Sequence, residues 1–166
     1  MTTDASTANL ARQKRVSLYQ PPRRRGNIHG MYETFDHTAD LGLRVRAPDL
    51  GTLFAEAGLA LTACLVENPD AVRQEITFDV NLPADDLEFL LFDWLKALLY
   101  RFDAEHLVFG RFEVHVTESG LAGAAWGEPL DPDRHALAHE VKAITYHGLR
   151  VEPEGGGWLA EMIVDI

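Results

Sequence analysis

YETFDHTADLGLRVRA, residues Tyr32–Ala47, combines two signals. Tyr32 and Phe35 make an apolar entry, Asp36 to Asp40 form a dense polar turn, and Leu41, Leu43 and Val45 then alternate with Gly42, Arg44 and Arg46. That period of two belongs to a strand with one face buried. Asp40 stands immediately before the first inward residue, so its carboxylate is held by the strand on one side and open to water on the other. A metal ligand or a catalytic acid needs that kind of support. The plainer use of Asp36 and Asp40 is to satisfy the amides of the turn.

Outward from this strand, Pro48 and Asp49 supply a stop and an N-cap. Leu50, Leu53, Phe54, Ala57 and Leu61 then follow at the spacing of one helix face, which predicts a helix to about Cys64. Arg73 to Leu82 reads as a strand with Ile76, Phe78 and Val80 on one side. A second helix opens at Asp85, with Glu88 as its capping-box partner. Leu87, Leu90, Leu91, Trp94 and Leu98 form its apolar stripe, and Phe89, Phe92, Leu95 and Leu99 widen it, leaving Asp86, Asp93, Lys96 and Ala97 for solvent. A helix apolar over most of its circumference belongs at the centre of a core. The alternative, a helix held out for a partner, conflicts with the small apolar patches usual on soluble proteins. Strand-like segments follow at Leu107–Thr117, Leu121–Trp126, Ala138–Tyr146, Leu149–Glu152 and Trp158–Ile166, with turns at Glu118–Gly120 and His147–Gly148 and an acidic loop from Gly127 to His135. The pattern predicts one α+β domain, two main helices packed on a mostly antiparallel sheet system.

The length of 166 residues suits one domain with a substantial core. Net charge is −11, unevenly spread: residues 1–30 carry six basic side chains against Asp4, or +5, and the remaining 136 residues carry −16. Residues 1–30 lack periodicity and contain Pro21-Pro22, so a flexible basic extension is expected ahead of a body over 31–166. So acidic a body is a poor holder of phosphate backbones, and any nucleic acid is expected through a partner or the basic extension. The single cysteine, Cys64, cannot form an internal disulfide and falls on a helix stripe, so a structural role in a reducing cytoplasm is expected. No apolar leader or membrane-length run occurs in the sequence.

Asp165 is next to the final residue, so its side chain lies near the terminal carboxylate on Ile166. Like charges that close repel unless a cation lies between them. With Asp40 they would form a hard-oxygen set suited to Ca²⁺, Mg²⁺ or Mn²⁺ rather than Zn²⁺; a solvated, frayed end is the other reading. Lys142 is one of only three lysines and sits among Val141, Ala143 and Thr145. It could guard a sheet edge, or place positive charge beside carboxylates or a phosphate. His135 and His139 have zinc-like spacing but no third ligand nearby, and His37 could orient a neighbouring carboxylate.

Together, Asp36-His37-Thr38-Ala39-Asp40-Leu41-Gly42, the helix segment LLFDWLKALLY (residues 90–100), Gly127-Glu128-Pro129 with His135, Val141-Lys142-Ala143-Ile144-Thr145-Tyr146-His147 and Val164-Asp165-Ile166 resemble the archease family. The resemblance covers residues 31–166 and leaves the extension unexplained. It implies a non-catalytic, cytoplasmic activator of an RtcB-type RNA ligase in tRNA splicing and RNA repair, promoting guanylylation and multiple turnover and meeting RNA only through the ligase. It further implies Asp40, Asp165 and Ile166 as ligands of a divalent cation, with Ca²⁺ expected first and Mg²⁺ or Mn²⁺ as alternatives, and Lys142 as a functional lysine. A metal-dependent phosphohydrolase and a metal-independent scaffold are the rival readings.

Overall fold

The alternation in Tyr32–Ala47 becomes two antiparallel strands, β1 (Met31–His37) and β2 (Asp40–Ala47), in a computed structural model that describes residues 31–37 and 40–166. The basic extension of residues 1–30 and the side chains of Asp36 and His37 lie outside the described residues. Leu43, Val45 and Ala47 are buried on one face of β2, as the period of two requires. Helix α1 (Leu50–Leu65) begins at Asp49, whose carboxylate accepts the Thr52 amide at 2.8 Å. It is followed by β3 (Ile76–Pro83), α2 (Leu87–Glu105), β4 (Leu107–Thr117), β5 (Gly120–Pro129), β6 (Ala143–Glu154) and β7 (Gly157–Asp165).

The strands form two antiparallel sheets, one in the order β1-β2-β7-β6 and the other β3-β5-β4. The helices lie between them: α1 touches β2 and β7 on one side and β4 on the other, and α2 touches β6, β3 and β4. This sandwiching explains why α2 is apolar over so much of its surface. Leu90, Leu91, Trp94, Leu95, Leu98 and Leu99 are all buried. The Trp94 indole N–H donates to the Phe54 carbonyl at 3.0 Å, joining the two helices inside the core. The small residues of β5 follow from the same contact, because a Cβ at Gly123 would come within 2.7 Å of the Trp94 ring.

Four local expectations are corrected. The α2 cap is Asp86, without a side-chain bond to the helix; Asp85 accepts the Asp86 amide, and Glu88 reaches across to the Val151 amide at 3.1 Å instead of closing a capping box. The face of α2 open to water is also broader than Asp86, Asp93, Lys96 and Ala97, since Phe89 is 44% and Tyr100 61% exposed. Third, the strand predicted from Ala138 begins only at Ala143. Residues 136–139 are drawn to the end of α1: the Ala138 and His139 amides donate to the Leu65 and Cys64 carbonyls, each at 3.0 Å, and Glu67 donates to Ala136. Free carbonyls at a helix C-terminus need such donors, and that need overrides the local strand pattern. His147-Gly148 likewise does not separate two strands. It lies in a bulge within β6, where the pairing shifts between Thr145 and Arg150 and Gly148 adopts φ +70°.

Candidate functional site

Three strand ends meet at one edge of the four-stranded sheet. Leu41 of β2 pairs with Val164 of β7, so Asp40 and Asp165 are the next residues on those two strands. On the other side of β7, Ala143 pairs with Asp165, which makes Lys142 the residue beside the chain end. Directly opposed residues on antiparallel strands have Cα atoms about 5 Å apart. By alternation Asp40 and Asp165 share the face opposite the buried Leu43, Met162 and Val164. Both are half-buried.

The chain end is held at this edge. The Lys142 amide donates to the Asp165 carbonyl at 2.8 Å, and the Ile166 side chain is half-buried against the core. Among the described residues, the Asp165 carboxylate and the Lys142 ammonium have no ion-pair partner. Lys142 itself corrects the expectation of a mid-strand lysine: it is exposed and precedes β6. Within β6, the Thr145 hydroxyl is buried without a hydrogen-bond partner. Asp40 and Asp165 carry hard oxygen donors, the kind that a divalent hard cation takes. Among the described residues no three His, Cys, Asp or Glu side chains form a metal-binding group. Two carboxylates would leave most of the coordination sphere of an ion that takes six or more ligands to water or a docked group.

His135 lies in a different cluster and is not a metal ligand. It is 1% exposed, and its Nδ1 accepts the Asp131 amide at 2.9 Å, so the proton is on Nε2, which donates to Glu128 at 3.1 Å. Glu128, 3% exposed, also accepts the Arg73 amide at 2.7 Å and pairs with the Arg134 guanidinium. Chiefly because of Arg134, its carboxyl is held down to about 2. This network pins the acidic loop after β5 and uses every donor that a catalytic role would need free. His139 is exposed and joins no such group. Cys64 is buried, and burial pushes its thiol up to about 12, which fits a packing role.

Sequence reasoning passed over an aromatic cluster beside this edge. Tyr146 stacks on Phe92 with ring centroids 3.8 Å apart and meets Phe89 at 5.4 Å. The signal was present in the excess width of the α2 apolar stripe, which continues past what two sheets can cover.

A two-helix layer between antiparallel sheets, with a carboxylate pair at the joined end of its second and last strands, defines a small α+β protein. Its family is settled by comparison: residues 32–166 match the Archease protein family (MTH1598/TM1083). The chain is 42% identical over 139 residues to protein archease of Methanopyrus kandleri, covering 81% of this chain and 99% of that protein. It is 39% identical over 141 residues to protein archease of Pyrococcus furiosus, covering 81% and 98%. The solution structure of Methanobacterium thermoautotrophicum protein 1598 superposes with a TM-score of 0.68 at 31% identity, covering 81% of this chain and 98% of that one. The chain belongs to the archease family. No helix among the described residues is long and apolar enough to cross a membrane.

Proposed function

We propose that this chain is a non-catalytic activator of an RtcB-type RNA ligase in tRNA splicing or RNA repair, acting in the cytoplasm by promoting guanylylation and multiple turnover of the ligase. Family membership supports an accessory role. The observation that carries the reading is the register of β2 and β6 against β7, which brings the strand ends bearing Asp40, Asp165 and Lys142 to one edge. Asp40 and Asp165, with the carboxylate on Ile166, would hold a divalent cation, with calcium expected first and magnesium or manganese as alternatives. Such an ion supplies positive charge against nucleotide phosphates. Lys142, exposed beside the notch, would offset phosphate charge or keep the acidic pair in register. Preorganised charge of this kind favours phosphoryl transfer on the partner without covalent chemistry in the helper. RNA is then met through the ligase, in keeping with the acidic body.

The test is ligase turnover at substoichiometric ligase with wild-type chain, Asp40→Ala and Asp165→Ala. Loss of carboxylates that hold or orient an ion is expected to lower stimulation about 10- to 100-fold, with melting temperatures close to wild type because both residues are half-exposed. Full stimulation by both folded variants refutes the metal-dependent reading. Release of phosphate from a nucleotide panel by the isolated chain would instead favour a phosphohydrolase.

A further inference from the structure

One face of α2 is left uncovered by both sheets. Phe89, Phe92, Lys96 and Tyr100 follow one another at helical spacing, and Phe89 is 44% and Tyr100 61% exposed. The β6 bulge adds Tyr146, 51% exposed and stacked on Phe92, to the upper end of this stripe. Exposed rings gathered on one helix face, rather than scattered singly, mark a candidate interaction site.

Charge selects the occupant. Asp86 and Asp93, both exposed, stand three residues before and four residues after Phe89 along α2, so carboxylates flank its ring. Ring faces beside carboxylates favour cations, above all guanidinium groups, which stack on aromatic planes while donating to acids. The chain's own side chains behave this way: Arg101 lies 4.2 Å from the Phe78 centroid, Arg111 4.7 Å from that of Trp126, and the Lys96 ammonium 5.8 Å from that of Phe92. A nucleic acid could stack bases on the same rings, but its phosphates would meet Asp86, Asp93 and a body of charge −16 over residues 31–166. A second copy of the chain would set the acidic rim against itself.

We propose that the exposed rings of Phe89, Tyr100 and Tyr146, with the half-buried Phe92 between them, are the docking surface for an arginine-bearing basic segment of the ligase partner. The proposal rests on the partner reading above and gives the ligase a contact separate from the notch. Tyr146 is three residues along β6 from Ala143, which pairs with Asp165, a distance of about 10 Å for an extended chain. Tyr146 packs on α2, so the stripe lies on the helix side of the four-stranded sheet and the notch on its other face, two separate contacts for the partner.

Calorimetric titration of the full chain with the RtcB-type ligase tests this, using Tyr146→Ser, Phe89→Ser, Tyr146→Phe and Tyr100→Lys, with melting curves for each. Loss of an anchoring ring is expected to weaken binding about tenfold or more for Tyr146→Ser and Phe89→Ser, while Tyr146→Phe keeps wild-type affinity. Tyr100→Lys alters the most exposed ring, so folding is preserved, and its added positive charge should weaken binding to a similar degree. Wild-type affinity should fall as salt is raised. Unchanged affinity in Tyr100→Lys and in the folded serine variants overturns the docking surface while the activator reading stands. Absence of any binding between wild-type chain and ligase overturns both. Binding of oligouridylate that is lost in Tyr146→Ser overturns the proposal in favour of an RNA-stacking surface.

Discussion

Trp94→Ala should destabilise the protein by about 3–5 kcal/mol, the range for removing a large aromatic side chain from a packed core. Trp94 is fully buried, meets Phe112 edge-on at 6.0 Å, bonds to the Phe54 carbonyl and fills the space over Gly123. The cavity would therefore lie where α1, α2 and the three-stranded sheet meet, with little freedom for any one layer to collapse. Thermal or urea unfolding measures the loss. Trp94→Phe retains much of the ring volume but gives up the indole donor, and should cost only about 1–2 kcal/mol. Equal, small losses in both variants would show that the helix layer is not knit together at this residue.

Glu128→Ala should cost a comparable amount, about 3–5 kcal/mol, for a different reason. Removing one member of a buried charged network leaves its partners desolvated and unpaired. Here the stranded groups would be the buried His135 ring and the Arg73 amide, with Arg134 better able to turn toward water. The carboxyl is lowered from 4.5 to about 2 in the folded chain. A lowered carboxyl contributes stability that is fully present above its unfolded value and is lost as pH falls through its folded one. Wild-type protein should therefore lose stability progressively between about pH 4.5 and about pH 2, and Glu128→Gln should flatten that part of the profile. Melting temperature against pH for the two proteins is the check; parallel curves would assign acid sensitivity to other carboxylates.

The parts of the fold that follow from local periodicity were legible in the sequence. The Asp49 cap, the buried face of β2, the limits of β4 and the α+β class needed only spacing and residue type. Distant demands were not legible. Nothing local to Ala138 and His139 shows that their amides are claimed by the end of α1, and nothing near Glu88 shows that its carboxylate serves Val151. His135 looked like half of a zinc pair because spacing carries no information about Glu128 and Asp131, which occupy its two nitrogens. Asp40 and Asp165 could be singled out by residue type and position; their neighbourhood depends on which strands pair, and sequence alone left β7 free to pair elsewhere. The aromatic stripe shows in the sequence only as excess apolar width on α2, which periodicity places in the core because it does not count how many sheets are available to cover a helix.

Paramagnetic broadening by Mn²⁺, followed amide by amide in solution, reads directly whether the meeting of the second and last strands makes a cation site. Substoichiometric Mn²⁺ should first erase the signals of residues at the joined ends, Leu41, Ala143, Val164 and Ile166, and Asp165→Asn should abolish that pattern. Broadening centred on another acidic stretch, such as Asp131 and Asp133, or left unchanged by Asp165→Asn, would contradict it.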